Sequence, residues 1–137
     1  MIASNLDKIH VFRFKPKQDL YLELLRFVEE QKVRAGIILT CVGSLSQACL
    51  RFAGAKEIVL LQGPFEITSL VGTLSPGGVH LHISLADRHG KTIGGHLMPK
   101  SLVNTTVEIA IGSLSGIGFT RMPDTETGYK ELEITEG

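Results

Sequence analysis

Residues 79–97 read VHLHISLADRHGKTIGGHL, and this segment predicts the type of fold because it contains two short strands joined by a turn. Within residues 79–85 the side chains alternate in the way that is typical of a strand with one face in a core. The turn sequence DRHG at residues 87–90 supplies a glycine for a positive φ angle. We therefore expect a β-hairpin whose second strand runs over residues 92–98.

Three histidines fall on one face of this hairpin. On the first strand His80, His82 and Ser84 share a face, because alternate residues of a strand point the same way. On the second strand His96 has the matching parity, and the short turn brings it opposite His82 or one step away. The two glycines before His96 leave room for water or a ligand. The three imidazoles are therefore expected to converge.

Neutral imidazoles on a rigid hairpin match a first-row divalent metal, most often zinc, with a fourth position left to water or substrate. His80, His82 and His96 are the predicted ligands. Because a zinc-bound water acts as a nucleophile near neutral pH, an enzyme and a binding protein both remain open. The pattern also allows histidines that hydrogen-bond to one another, to carboxylates or to a neighbouring subunit. Of the other two histidines, His89 is expected in solvent and His10 in a packed position.

Ahead of the hairpin, the sequence predicts a strand, a helix and a second strand. Residues 9–14 alternate as a strand, and Asp19 is placed to cap a helix that begins at residue 20. Apolar side chains recur at intervals of three and four over residues 20–28, and Lys32 and Arg34 lie near the expected end of the helix. Gly36 is the expected stop of that helix. Residues 37–42 are apolar throughout, which favours a strand buried on both faces.

From Gly43 onwards the pattern indicates short strands separated by glycine or proline. They are expected at residues 48–52, 57–61, 65–74, 79–85, 92–98, 105–111 and 129–134. The glycine-rich residues 112–118 indicate a loop. One main helix on a mostly antiparallel sheet is an α+β fold class, and we expect residues 1–137 to form a single domain.

Charge and cysteine content restrict the function classes. Lys plus Arg number 14 and Asp plus Glu number 14, so one chain has no net positive field for a nucleic acid backbone. Cys41 and Cys49 lack the C-x-x-C spacing of a metal or redox motif, and we expect small buried residues in a reducing compartment. The sequence has neither a signal-peptide pattern nor an apolar run long enough to span a bilayer. We therefore expect no membrane association and a cytoplasmic location, or a nuclear one in a eukaryote.

Residues 63–72, GPFEITSLVG, resemble the G-R-F-E-I-L-S-L-S-G signature of the plant and prokaryote conserved (PPC) domain family. The H-x-H-x-S and G-G-H-L blocks of the hairpin follow at the family's distance. Residues 43–45 and residues 108–112 also fit, so the likeness extends over nearly the whole chain. Several blocks in the right order identify the chain as similar to this family.

The resemblance implies a compact α+β fold that assembles as a homotrimer, with the histidines close to a subunit boundary or cleft. The family is often labelled as predicted DNA-binding, and in plants a basic hook that enters AT-rich minor groove precedes the domain. This sequence has no R-G-R-P segment, and Pro64 stands where the family has arginine. We therefore do not expect DNA binding, and a small ligand or a protein partner is expected instead.

Three further polar residues are candidates for supporting roles. Glu66, Ser84 and Glu108 are each predicted either to orient a histidine or to act as a general base. The leading prediction is a trimeric PPC-domain protein with a three-histidine zinc site, acting as a ligand- or partner-binding module. The alternatives are a DNA-associated transcriptional regulator and a metal-dependent hydrolase or lyase acting on a small polar substrate.

Overall fold

A computed structural model describes residues 1–54 and 56–137. Within them the chain forms eight strands and one α-helix. The strands are β1 (Leu6–Phe14), β2 (Gly36–Arg51), β3 (Ile58–Ser75), β4 (Gly78–Ala86), β5 (Thr92–Leu97), β6 (Leu102–Leu114), β7 (Ile117–Pro123) and β8 (Lys130–Glu136), and the helix is α1 (Leu20–Glu30). The predicted α+β class, with one main helix and a mostly antiparallel sheet, is confirmed.

The strands form one large antiparallel sheet and one small ribbon. Six strands follow the order β1-β6-β2-β3-β4-β5, and β7 pairs with β8 alone. The far end of β2 also pairs with β5, where Leu50 faces Leu97 and Arg51 faces His96. Strands β2, β3, β4 and β5 therefore close on one another, and this closure brings the end of β2 beside the histidine hairpin.

The helix begins where the sequence predicts and ends earlier. Asp19 caps it, because its carboxylate accepts hydrogen bonds from two backbone N–H groups of the first turn at 3.0 and 3.2 Å. The helix ends at Glu30, and Lys32 adopts a positive φ of 53° just beyond it. The predicted stop at Gly36 is wrong, since that residue begins β2. The fully or nearly buried side chains of the helix are Leu20, Leu24 and Val28, which join one core cluster with residues from β1 to β6.

Strands β2 and β3 are longer than the sequence predicts. The break expected at Gly43 is wrong, because this glycine has a φ of 152° and lets β2 continue through an irregularity. A Cβ at Gly43 would lie against the carbonyl oxygen of Thr106 and 2.7 Å from the Cα of Val107. Glycine at this position permits close approach of β6 rather than ending the strand. The separate strands expected over residues 57–61 and 65–74 likewise form the single strand β3.

The burial expected for residues 37–42 is also wrong. Leu39 is 41% exposed and Val42 is 57% exposed, because α1 and the core cover only one face of the sheet at β2. On β1, Ile9 and Val11 are 58% and 76% exposed. An apolar outer face therefore remains on the β1-β6-β2 part of the sheet.

The C-terminal region contains a strand that the sequence pattern did not predict. The loop expected over residues 112–118 includes the end of β6 and the start of β7, with only Ser115 and Gly116 between them. Ile117 and Phe119 of β7 are buried against Ala35, which gives this glycine-rich segment a packing partner. Among the described residues, no helix is long and apolar enough to cross a membrane.

Candidate metal centre

The histidine hairpin is the β4–β5 pair. His82 lies opposite His96 in the strand register, and Ser84 lies opposite Gly94. The turn is held by Asp87, whose carboxylate accepts hydrogen bonds from the backbone N–H groups of His89 and Lys91 at 2.8 and 2.9 Å. These bonds, the one from His89 first, lower the pKa of Asp87. The predicted hairpin and its register are therefore present.

The three predicted imidazoles form one compact group. The ring centroids of His80 and His82 are 5.1 Å apart, those of His80 and His96 are 5.0 Å apart, and those of His82 and His96 are 4.4 Å apart. One ring nitrogen from each residue lies within 4.8 Å of the other two. Leu81 and Ile83, which alternate with the two histidines of β4, are buried on the opposite face, as strand alternation requires.

The electrostatic surroundings favour the neutral form of His80 and His96. Burial lowers the pKa of His80 below its ordinary value, and the positive charge of Arg121 acts in the same direction. Burial also lowers the pKa of His96, with Arg51 as the next cause. A neutral imidazole has a free nitrogen lone pair, which is the form that binds a metal.

The donor set fits a divalent metal. Zinc binds imidazole nitrogen at about 2.0–2.1 Å, and three nitrogens within 4.8 Å of one another are near the spacing that ligands of one ion require. In the part of the chain that the structure describes, no cysteine, aspartate or glutamate joins this group. A metal held here would keep a coordination position for water or a ligand.

A pocket of about 570 Å³ opens beside His80 and His96. Its other walls come from distant parts of the chain. They include Arg51 at the end of β2, Arg121 of β7, and Tyr129 beside β8. Strand alternation identifies Arg51 as a residue off the core face, but no local sequence signal could place it next to His96. Because a loop is predicted over residues 112–118, the sequence pattern does not predict β7, the strand that carries Arg121.

The remaining predicted site residues lie at different distances from the group. Ser84 follows His82 on the same face of β4. Glu66 of β3 is paired with Ala86 of β4. Ala86 lies four residues beyond His82, an offset along the strand of about 13 Å at 3.3 Å per residue. Glu108 lies on β6 opposite Arg13.

The two glutamates are thus exposed and outside the histidine group. Their roles and that of Ser84 stay predictions. His89 is exposed in the turn. His10 packs edge-on against Phe27 with centroids 5.1 Å apart. Both of these histidines lie where the sequence predicts.

The fold and the site together describe a small α+β protein: an antiparallel sheet, one helix, and a hairpin that carries three histidines. The family sequence model of the Plants and Prokaryotes Conserved (PCC) domain matches residues 1–115 of the chain, and the chain belongs to this family. This is the PPC family that the sequence blocks resemble.

Two curated relatives place the domain in longer proteins. The bifunctional protein GlmU of Synechococcus sp. (strain JA-3-3Ab) is 48% identical over 127 residues, which are 93% of this chain and 20% of that protein. The AT-hook motif nuclear-localized protein 20 of Arabidopsis thaliana is 29% identical over 143 residues, covering 98% of this chain and 50% of that protein. The chain thus spans from a fifth to a half of these relatives.

Two solved structures share the fold along their whole length. A hypothetical protein from Salmonella enterica is 40% identical with a TM-score of 0.95, and the alignment covers 98% of this chain and 97% of that one. A metal-containing protein from Archaeoglobus fulgidus is 27% identical with a TM-score of 0.83, over 97% of this chain and 98% of that one. The strand order and hairpin described above therefore belong to a recurring fold.

Proposed function

We propose that the chain is a metal-binding module in which His80, His82 and His96 hold a divalent ion, with zinc as the first candidate. The observation that carries this proposal is the convergence of three imidazole nitrogens within 4.8 Å on adjacent strands. The lowered pKa values of His80 and His96 support it, because metal need not compete with protons at neutral pH. The Archaeoglobus relative, described as metal-containing, adds support from outside the chain.

Metal analysis of protein purified without added metal, followed by titration with zinc and with cobalt(II), tests the proposal. We expect one ion per chain and a cobalt spectrum typical of nitrogen ligands. Replacing one ligand in His82→Ala should weaken zinc binding by more than about 100-fold. His89→Ala is the matched control, since it removes an exposed imidazole from the same hairpin. Absence of stoichiometric uptake by the wild-type protein, or equal loss in both variants, would refute the proposal.

We also propose that residues 1–137 form a single domain that assembles as a homotrimer. The family resemblance implies the trimer, and the exposed apolar face of β1, β6 and β2, which includes Val11 and Val42, supports a buried contact between chains. Light scattering coupled to size exclusion should give the mass of three chains, and Val11→Lys should lower it. A wild-type mass of one chain at about 50 μM would contradict trimerisation.

A metal-dependent hydrolase or lyase is the second candidate function. It is favoured by the pocket that adjoins His80 and His96, because a metal with only three protein ligands keeps a position for a reactive water. Zinc-loaded protein should then cleave a small ester, and His82→Ala should abolish the cleavage. No turnover above buffer with zinc-loaded protein would exclude this candidate for that substrate class.

DNA association and the cellular location stay predictions. The Arabidopsis relative is nuclear-localized by its name, whereas this chain has equal numbers of basic and acidic residues. Titration with duplex DNA at low and moderate salt tests DNA binding, which we expect to be absent. A cytoplasmic location remains the proposed one, and imaging of a tagged chain tests it.

A further inference from the structure

Two arginines from different strands lie beside the histidine group. Arg51 lies directly opposite His96 in the β2–β5 pair. The neighbouring pair, Leu50 and Leu97, is buried, so Arg51 and His96 share the other face of the sheet. The strand arrangement therefore fixes one guanidinium-bearing side chain on the face that carries the imidazoles.

The second arginine arrives from the separate β7–β8 ribbon. One guanidinium nitrogen of Arg121 donates a hydrogen bond to the hydroxyl of Thr73 at 2.8 Å. Thr73 is the strand partner of His80 on β3, so this bond holds Arg121 beside the first histidine.

Neither arginine forms an ion pair with a carboxylate in the described part of the chain. Among residues 1–54 and 56–137, no carboxylate lies within 4.0 Å of either guanidinium group, and the side chain of Arg51 donates no hydrogen bond. The described lining of the pocket contains Arg51, Arg121 and Lys130 against the single acidic residue Glu131. A concave wall with this charge excess attracts anions.

The rest of the pocket suits an apolar or aromatic group. Its lining includes Tyr21, Phe52, Leu97, Met98 and Tyr129. The volume of about 570 Å³ lies within the range of about 300–1,000 Å³ that holds small organic ligands. A ligand with a charged end and an apolar body would match both parts of the lining.

We propose that this pocket binds a small organic anion, whose carboxylate or phosphate group pairs with Arg51 and Arg121 and whose apolar body lies against the aromatic wall. Guanidinium groups form two parallel hydrogen bonds with either anion, which makes them suited to both. The proposal rests on the proposed metal site in one respect only: a bound metal ion would make a second contact with the anion. The contacts with the arginines are independent of metal.

Calorimetric titration with three aromatic probes tests the proposal. Phenyl phosphate and benzoate carry the two candidate anions, and benzamide is the neutral control. We expect at least one of the two anions to bind zinc-loaded protein with a Kd below about 1 mM and at least 10-fold more tightly than benzamide. The tighter of the two identifies the preferred anion. Equal binding of benzamide, or no binding of either anion at 10 mM, would overturn the proposal.

Variants separate this inference from the metal site. The native side chain of Arg51 forms no ion pair among the described residues. Arg51→Gln should therefore weaken anion binding by about 10-fold, and the double variant with Arg121→Gln should weaken it by about 100-fold. Zinc content should not change in either. Lys91→Gln, an exposed charge change in the same hairpin, should alter the Kd by less than 2-fold.

His82→Ala, which should lose the metal, should retain weaker binding of the anion. Retention there, with loss in the arginine variants, supports the anion pocket even if no metal binds. A double arginine variant that binds within 2-fold of the wild type would refute the pocket even if zinc binding is intact.

Discussion

Replacing Gly72 with alanine should destabilise the fold and disturb the histidine group at once. Gly72 lies on β3 opposite Leu81 of β4 and has a φ of 149°, a conformation that side-chain-bearing residues rarely adopt. A Cβ there would lie against the carbonyl oxygen of His80 and 2.9 Å from its carbonyl carbon. These are backbone atoms of a strand paired on both sides, so they cannot rotate away as a flexible side chain would.

Two costs add up for Gly72→Ala. The unfavourable backbone conformation costs about 1–3 kcal/mol. Forcing β4 away from β3 costs roughly another 1–3 kcal/mol, the range for added atoms in a packed interior. Gly78 offers a matched control, because it has a φ of 125° and no atom within 4 Å of a Cβ built on it. Gly78→Ala should carry the first cost and not the second.

Urea denaturation at one fixed protein concentration measures both variants, since self-association would otherwise shift the midpoint. We expect Gly72→Ala to lose about 1–3 kcal/mol more than Gly78→Ala in free energy of unfolding. Cobalt(II) titration should also show weaker binding in Gly72→Ala, because the carbonyl that moves belongs to His80. Equal stability of the two variants would refute the close-approach argument.

Three further measurements test the fold and its titrating groups. Leu24→Ala, at a helix position with 0% exposure, should lower the free energy of unfolding by about 2–5 kcal/mol. Leu22→Ala, at a position with 47% exposure, should change it by less than about 1 kcal/mol. Similar losses in the two variants would contradict the assigned buried face of the helix. The pKa of Asp87 is lowered, first by the hydrogen bond from the backbone N–H of His89, so its stabilisation is present above the unfolded-state pKa and is lost as pH falls through the folded one. An NMR titration of Asp87 with a midpoint at or above that of an unfolded peptide would argue against this. Burial raises the pKa of Cys41 to about 12, so this thiol should resist iodoacetamide at pH 8 until the protein is unfolded, and rapid labelling of the native protein would disprove it.

Local periodicity predicted those parts of the fold whose pairing partners are close in the chain. The cap at Asp19 and the β4–β5 hairpin follow from interactions within about twenty residues, and both are present. Glycine misled the prediction twice, at Gly43 and in residues 112–118. In both places a glycine that permits close strand approach resembles, in sequence, a glycine that ends a strand.

The candidate site also has one part that local pattern predicts and one part that depends on distant pairing. Alternation on two adjacent strands brings His80, His82 and His96 together, so the sequence alone determined the imidazole group. The two arginines come from β2 and β7, which reach the hairpin only because β2 bends to pair with β5 and the β7–β8 ribbon lies against β3. Contacts of that range depend on how the whole sheet closes, which no local pattern specifies, and therefore only the tertiary structure decided the charge and shape of the pocket.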